Sequence, residues 1–249
     1  MAGPQRSPDA DNPFPYDPAR VKVIACATVI EEMTPRMPEG MAREVMDFGL
    51  HFRPGGLTKA LQEVIDRSEG FETILLGYGL CSNGVVGLRA TTARLVVPRV
   101  DDCIAIFLGS RESYLAQHEQ EPGTYFLTKG WIEAKDSPLD QQLDLEAKYG
   151  AAKAERIMRL MLRNYTRIAF IDTGAYELER YRDYAKENAS RFGLRYEEIE
   201  GRPDLVEKLL YGPWEDDCVV VERGGEVAYE MFVRDGRAPN PQLPGFGRG

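Results

Sequence analysis

Short apolar runs that alternate with helical patterns constrain the fold of this chain more than any other feature of its sequence. Runs such as Val21–Cys26 and Ala93–Pro98 are separated by segments whose apolar residues recur at helical spacing. This alternation is typical of βαβ units, in which helices cover both faces of a parallel sheet. The sequence therefore predicts an α/β fold.

The predicted elements form two groups that resemble each other in architecture. The first group has strands at Val21–Cys26, Glu44–His51, Thr73–Gly79 and Ala93–Pro98 and helices at Leu57–Asp66 and from Cys103 to about Gln117. The second has helices at Leu139–Tyr165, Tyr176–Phe192 and Pro203–Leu210 and strands at Arg167–Gly174, Leu194–Ile199 and Asp217–Glu222. Two Rossmann-like parallel-sheet halves with a cleft between them are expected, and one continuous doubly wound sheet is the alternative.

The expected domain boundaries follow from these groups. Residues 20–122 form the first half and residues 123–235 the second. Residues 1–19 and 236–249 are rich in Pro, Gly and polar residues, which predicts a disordered amino-terminal arm and a flexible tail.

Composition excludes several classes of function. The net charge of −9 leaves no basic stripe for general nucleic-acid binding. No apolar stretch approaches the ~20 residues that cross a bilayer, and the amino terminus lacks the apolar core of a secretory signal. A cytoplasmic protein is expected, in which the four cysteines are free, metal-bound or reactive rather than paired in disulfides.

Three cysteines and a histidine fall at one edge of the predicted first sheet. Cys26, His51 and Cys81 follow or end predicted strands, and Cys103 lies in the first turn of a predicted helix. Because neighbouring strands are about 4.8 Å apart, side chains at adjacent strand ends can converge. Three thiols and an imidazole are an established zinc ligand set. The fourth cysteine, Cys218, is flanked by apolar residues and fits a core position.

The surroundings of Cys81 and Cys103 favour a functional role over simple packing. Ser82, Asn83 and Gly84 follow Cys81, and the amides of a helix starting there would stabilise a thiolate. Cys103 follows Asp101 and Asp102, either of which can cap the next helix. These two acids oppose a thiolate unless a bound cation takes up their charge.

The same residues have structural interpretations. Cys26 fits a small buried side chain as well as a ligand, and a lone histidine such as His51 is more often structural than a ligand. The chain has no C-x-x-C pair, which weakens the metal signal.

A second set of residues suggests a site for a small anion or a flat ligand. The spacing of Gly77, Gly79 and Gly84 does not match a dinucleotide fingerprint. Amides at Gly79, Ser82, Asn83 and Gly84 can still approach a phosphate or carboxylate, although a tight turn explains the glycines equally well. The remaining candidates are Arg99, which holds an anion or forms a surface ion pair, and Lys129 and Trp131, which line a cleft or form the hinge between halves.

Three blocks of the sequence resemble one family. GYGLCSNGVVGL (77–88), VPRVDDCIAIFLGSRESY (97–114) and PGTYFLTKGWIE (122–133) resemble the domain-of-unknown-function 1638 family of bacteria and archaea. The resemblance covers residues 20–235 and implies that cysteines at positions 26, 81 and 103 belong to the family pattern. A histidine often stands in the family where Asp101 stands here, so Asp101 is implied as an alternative oxygen ligand. The resemblance also implies a setting of corrinoid-dependent methyl transfer.

These observations lead to one expectation with two alternatives. The first is a zinc thiolate site of Cys26, Cys81 and Cys103, with His51 or Asp101 as an additional ligand, used in corrinoid-linked methyl or one-carbon transfer beside a corrinoid protein or methyltransferase. The second is a non-catalytic accessory protein that holds an anion or corrinoid against Arg99, Lys129 and Trp131. The third is a redox-sensing thiol protein. A small homo-oligomer is the usual assembly for such a chain.

Overall fold

The computed structural model describes residues 16–52, 54–81, 83–174, 177–234 and 236, without the side chains of residues 51–54. Its strands are β1 (Val21–Cys26), β2 (Ala42–Met46), β3 (Thr73–Gly77), β4 (Arg94–Pro98), β5 (Thr124–Leu127), β6 (Arg167–Asp172), β7 (Arg195–Glu200) and β8 (Cys218–Val221). Its α-helices are α1 (Ala27–Met33), α2 (Pro54–Asp66), α3 (Ile104–Phe107), α4 (Arg111–Gln120), α5 (Lys129–Glu133), α6 (Pro138–Tyr149), α7 (Ala151–Met161), α8 (Glu179–Phe192) and α9 (Asp204–Tyr211). Short 3₁₀ helices span Pro18–Arg20, Thr34–Arg36, Phe48–Phe52 and Tyr229–Phe232.

The strands form two sheets with helices interleaved between them. The first sheet has the order β2-β1-β3-β4-β8, and the second has the order β5-β6-β7. Strands β1 to β4 run parallel, as do the three strands of the second sheet. The central strands β1, β3 and β6 are buried almost throughout, as expected for a parallel sheet covered on both faces. The α/β fold with two sheets is confirmed.

The position of β8 differs from the predicted division of the chain into two halves. This strand pairs antiparallel with β4, with Leu95 opposite Val221, so it belongs to the first sheet rather than the second. Helix α9 also packs on β3 and β4. As an antiparallel edge strand, β8 covers the edge of β4 that would otherwise be exposed. The segment after β7 therefore returns to the first sheet, and the predicted boundary at residue 123 separates only part of the second half.

Part of the predicted amino-terminal arm packs against the folded chain. The ring of Tyr16 stacks on Trp214 with 5.6 Å between the ring centroids. Asp17 accepts a hydrogen bond from the Ala19 amide and caps the first 3₁₀ helix. Residues 16–19 are thus ordered, while the predicted disorder of residues 1–15 and 237–249 lies outside the described residues.

The second predicted strand ends earlier than expected because the chain turns after it. The strand predicted to reach His51 ends at Met46, where the Asp47 side chain accepts a hydrogen bond from the Gly49 amide and turns the chain into a 3₁₀ helix. The prediction that His51 ends a strand is therefore wrong, and its side chain lies outside the described part of the chain.

The helix predicted from Cys103 to about Gln117 is broken into α3 and α4. Gly109 adopts φ +81°, a left-handed conformation that glycine adopts without steric cost and that ends a helix. Ser110 then caps α4 by accepting a hydrogen bond from the Ser113 amide. The predicted helix Leu139–Tyr165 is divided in the same way at Gly150, between α6 and α7.

The first and second sheets meet through closely packed helices rather than an open cleft. A Cβ at Gly130 would lie 2.7 Å from Cβ of Thr28, so α5 contacts the start of α1 directly. Trp131 is 1% exposed and packs edge-on against Phe107 at 5.3 Å between ring centroids. This corrects the expectation that the indole lines a ligand cleft. Lys129 lies at the same contact, with its Nζ 2.8 Å from a carboxylate oxygen of Glu31.

Burial of Asp136 should make the free energy of unfolding of this protein depend on pH. Its carboxylate accepts a hydrogen bond from Gln141, but burial raises its pKa from 3.8 to about 6. The folded protein therefore holds this proton more tightly than the unfolded chain, and the associated stability is present below about pH 4 and lost as the pH rises through about 6. We expect Asp136→Asn to raise the free energy of unfolding by about 2 kcal/mol near pH 8 and to leave it unchanged near pH 4. Urea titration at both pH values measures this difference.

The exposed Asp144 on α6 provides the matched control, because Asp144→Asn should change stability by less than about 0.5 kcal/mol at either pH. An equal gain for Asp136→Asn at both pH values would show that its carboxylate is not destabilised by burial.

Candidate functional site

The carboxyl ends of β1 and β3 place Cys26 beside Tyr78. The last pair in the register of these strands is Ala25 with Gly77, so the next residue of each strand lies at the same edge. Cys26 ends β1 and precedes α1, and its Sγ lies 3.0 Å from Oγ1 of Thr28. This edge of the first sheet is where ligands bind in open α/β sheets.

The loop after β3 lies directly against the loop after β4. The amide of Leu80 donates to the carbonyl of Val100 at 3.0 Å, and the amide of Cys81 donates to the carbonyl of Asp101 at 3.2 Å. Gly79 permits this approach, because a Cβ there would lie 2.9 Å from backbone atoms of Asp102. The structure therefore explains Gly79 by close backbone packing.

The paired loops bring the predicted cysteines together. The side chains of Cys26, Cys81 and Cys103 interact with one another electrostatically. All three side chains are buried, with exposed fractions of 7% to 9%. We call Cys26, Cys81 and Cys103 the thiol cluster. Its members come from three segments that are far apart in the sequence.

The electrostatics of the thiol cluster differ from the expectation of a free thiolate. Interaction with Cys81, followed by burial, raises the pKa of Cys103 well above its usual value of 9. Burial also raises the pKa of Cys26. No helix follows Cys81: it adopts φ +45° in a loop, and residues 83–87 form turns. The predicted helix amides are therefore absent from these described residues. Hydrogen bonds from Thr28 and Val29 partly offset the effect of burial on the pKa of Cys26, whereas every contribution at Cys103 raises its pKa.

Tyr78 lies beside the thiol cluster and carries an unsatisfied hydroxyl. Its side chain is 2% exposed, and its hydroxyl has no hydrogen-bond partner among the described residues. Burial, together with the three neighbouring cysteines, raises the pKa of Tyr78 above its usual value of 10. The hydroxyl therefore stays protonated and is available as a donor.

The two acids before Cys103 are both engaged in buried contacts. Asp101 accepts a hydrogen bond from Nε of Arg111 at 2.9 Å, and the side chains of this ion pair are 1% and 7% exposed. Asp102 accepts from the Ile104 amide at 2.8 Å and from the Tyr114 hydroxyl at 2.9 Å, while burial raises its pKa to about 6. The N-cap of α3 is Cys103 rather than either acid, although Asp102 accepts from the first amide of the helix. Asp101 would have to share its charge between Arg111 and a metal ion.

Of the other predicted ligand-binding residues, Gly84 is joined to the thiol cluster by its amide, which donates to the carbonyl of Cys81 at 3.1 Å. Gly84 packs on α2, where a Cβ would lie 2.6 Å from Leu57, and Asn83 is exposed with φ +68°. Ser82 lies outside the described residues. The Arg99 guanidinium donates to the carbonyl of Cys218 at 3.2 Å, beside β8.

One cavity between the two sheets is small. This cavity, lined in part by Glu32, Thr173 and Arg202, has a volume of about 10 Å³, which is room for one water molecule. Thr173 donates a hydrogen bond to Glu32, whose pKa is raised by burial. A larger cavity of about 480 Å³ lies between α7 and α8 and includes none of the predicted site residues.

Within the described ranges, no group of three or more His, Cys, Asp or Glu side chains already has the arrangement of a metal site. None of the helices described here is long and apolar enough to cross a membrane.

Gly79 provides a test of how closely the two loops must approach. We expect Gly79→Ala to lower the free energy of unfolding by about 2 kcal/mol, because the new Cβ meets backbone rather than a flexible side chain. Gly55→Ala is the control: a Cβ at Gly55, in α2, meets nothing within 4 Å, so stability should hold or rise by up to about 1 kcal/mol. Urea unfolding of both variants measures the difference. Equal stability of the two would show that the loops can separate freely.

Sequence reasoning missed three residues of this region. Tyr78 lies in the same glycine-rich motif as Cys81. A large polar residue between Gly77 and Gly79 is the sequence feature that could have identified it. Arg111 and Tyr114 lie one turn apart on α4 and reach back to Asp101 and Asp102. The spacing of Arg111 and Tyr114 does not predict that they contact Asp101 and Asp102. The break between α3 and α4 determines the direction in which their side chains point.

Comparison with known proteins gives one match. A family model described as a protein of unknown function (DUF1638) matches residues 45–210. The matched range includes Tyr78, Cys81 and Cys103 and begins after Cys26. Neither the curated proteins nor the solved structures gave a match to this chain.

Proposed function

This chain belongs to the DUF1638 family of proteins of unknown function, and from that premise we propose that it is a metal-binding protein whose thiol cluster holds a zinc ion. The observation that carries the proposal is the convergence of Cys26, Cys81 and Cys103 at the carboxyl edge of the first sheet, with the unsatisfied hydroxyl of Tyr78 beside them. Three cysteines are a common protein contribution to a tetrahedral zinc site.

The protonation of the cluster is consistent with a site that forms on metal binding. Burial of Cys26 and Cys103 favours their neutral thiols, which do not bind zinc. Zinc displaces the thiol protons and takes thiolates as ligands. We therefore propose that the ligand arrangement is completed by the ion itself, in a reducing compartment such as the cytoplasm, where these thiols stay free.

Asp101 is the weaker candidate for an additional ligand. Its buried ion pair with Arg111 already compensates its charge, and binding a metal would leave the guanidinium without that partner. The proposal therefore rests on the three sulfurs alone.

The reaction class to assay is methyl or one-carbon transfer. Zinc in such a site supplies Lewis acidity and lowers the pKa of a thiol or water bound in an open position. The chain's own contribution is the buried, thiol-rich edge of the sheet, which keeps this chemistry away from bulk water.

Metal analysis of protein purified without an affinity tag tests the proposal. We expect about one zinc ion per chain, removed by a strong chelator and restored by added zinc. The chelated protein should unfold at a lower urea concentration than the zinc-loaded protein, because an ion that binds only the folded state stabilises it. Less than about half an ion per chain, with no stabilisation by added zinc, would contradict the proposal.

A redox function is the second candidate, and the interaction between the buried, free side chains of Cys81 and Cys103 favours it. Two neighbouring thiols can form a disulfide by losing two protons and passing two electrons to an oxidising disulfide or peroxide. Mass analysis after mild oxidation distinguishes the two functions. A redox pair gives rapid loss of two hydrogens with a disulfide between these residues, whereas a zinc centre protects both thiolates until the metal is chelated.

A further inference from the structure

The cavity between α7 and α8 has the size of a small-molecule site. Its volume of about 480 Å³ falls within the range of about 300 to 1,000 Å³ that is typical of ligand pockets. It is lined by residues of α6, α7 and the end of α8, together with the loops that lead into β6 and β7. No residue of the thiol cluster lines it. Helices and strand ends around the second sheet therefore form its walls.

Part of the cavity lining is apolar. Met158 is 2% exposed and Leu162 is 9% exposed, so both belong to the core at this wall. Phe192 and Leu194 also line the cavity, and both are half-buried and pack against the same core. Apolar surface that faces water in a cavity is stabilised when an apolar group covers it. The cavity therefore favours a ligand with an apolar body.

The charged part of the lining is mainly positive. Arg159, Arg163 and Arg191 line the cavity together with a single acidic residue, Glu155. Arg159 is already paired with Glu155, with 2.8 Å between the guanidinium and the carboxylate oxygen. Among the residues that the structure describes, neither Arg163 nor Arg191 pairs with a carboxylate. Two guanidinium charges are therefore left to attract an anion.

The guanidinium of Arg191 is held by a buried amide. Its Nε donates a hydrogen bond to Oε1 of Gln142 at 3.3 Å, and Gln142 is 6% exposed. Gln142 in turn donates to the Glu146 carboxylate at 2.5 Å, so this amide lies between the acid and Arg191. Within the described part of the chain, the two terminal nitrogens of Arg191 have no partner. A guanidinium with free terminal nitrogens can bind an oxyanion through two parallel hydrogen bonds.

We propose that this cavity binds a small organic anion, an oxyanion group such as a carboxylate or phosphate on an apolar body. Arg163 and Arg191 hold the oxyanion, and the wall at Met158 and Leu162 holds the apolar body. The whole chain carries a net charge of −9, so its overall field repels anions and a local group of uncompensated arginines is needed to attract one. This site does not depend on the zinc proposal.

Displacement of a fluorescent aromatic sulfonate, 8-anilinonaphthalene-1-sulfonate, from the full chain tests the chemistry of the ligand. We expect the dye to bind at one site per chain and to be displaced by octanoate and by octyl phosphate, the tighter of which gives the preferred oxyanion. Octanol has the same chain without a charge, and inorganic phosphate has the charge without a chain. Each should require at least about tenfold more than octanoate, because it makes only one of the two kinds of contact.

Arg163→Gln and Arg191→Gln test the position of the site. Loss of one charge-assisted hydrogen bond should weaken the binding of dye and octanoate by about tenfold in each variant. Arg156→Gln is the matched control, because Arg156 is an exposed arginine of α7 that does not line the cavity. The same change in net charge there should alter affinity by less than about twofold. All three arginines are exposed, so the urea midpoints should match that of the wild type.

A tenfold loss in Arg163→Gln and Arg191→Gln, with an unchanged control and a preference for octanoate over octanol, supports the site. Equal dye affinity in all three variants would overturn it, and so would octanol or inorganic phosphate displacing the dye as well as octanoate does. Absence of saturable dye and octanoate binding by the folded wild type would also overturn it. The zinc content of these variants should equal that of the wild type, so the outcome is independent of the thiol cluster.

Discussion

Replacing Cys103 with alanine will reduce the zinc that copurifies with the protein from about one ion per chain to less than about one-tenth. Cys103 interacts electrostatically with both other members of the thiol cluster, and Cys26 and Cys81 interact with each other. Loss of Cys103 leaves two sulfurs from the ends of β1 and β3, and two ligands hold zinc far more weakly than three. Elemental analysis and a competition titration measure the loss.

Cys218→Ala is the matched control for this change. Cys218 is also a buried free cysteine, 1% exposed, but it lies on β8 opposite Pro98. Removing its thiol should leave zinc content and zinc affinity at the wild-type level. Equal zinc content in the two variants would show that the thiol cluster is not the ligand set, provided that urea unfolding shows both to be folded.

Replacing Arg111 with methionine will lower the free energy of unfolding by about 3 to 5 kcal/mol, the usual cost of breaking one side of a buried ion pair. The side chains of Arg111 and Asp101 are 7% and 1% exposed. Methionine fills much of the arginine volume but leaves the Asp101 carboxylate buried without its cation. Because the Asp101 carbonyl accepts from the Cys81 amide, the variant should also bind zinc more weakly. Urea unfolding and a zinc titration measure the two effects.

Arg159→Met is the control, since its ion pair with Glu155 is on the surface, with side chains 77% and 66% exposed. Its loss should cost less than about 0.5 kcal/mol. Adding Asp101→Asn to Arg111→Met should recover part of the lost stability, because the uncompensated charge is removed. A cost below about 1 kcal/mol for Arg111→Met would show that water or another group neutralises Asp101.

Local patterns in the sequence predicted the elements of this fold but not all of their partners. The apolar runs around Val23, Leu75 and Ile168 are buried strands, as their composition indicated. The pairing of β8 with β4 was not predictable in this way, because the run at Cys218–Val221 would suit the edge of either sheet. Propensity describes a segment, whereas the choice of sheet depends on contacts with α9 and β4 that are distant in sequence.

The candidate site shows the same limit. That Cys26, Cys81 and Cys103 lie at one sheet edge follows from the βαβ pattern, and Cys103 interacts electrostatically with the other two. The direction of Arg111 could not be predicted, because it depends on the left-handed Gly109 that separates α3 from α4. The burial of Trp131 depends on contacts with Phe48 and Phe107, both of which precede it in the sequence by more than 20 residues.

The most direct test of the central claim is X-ray absorption spectroscopy at the zinc edge of the loaded protein. The account predicts a first shell with three sulfur scatterers at about 2.3 Å, falling to two in Cys103→Ala after zinc is added in excess. A first shell of nitrogen and oxygen alone, unchanged by Cys103→Ala, would contradict the assignment of the thiol cluster as the metal site.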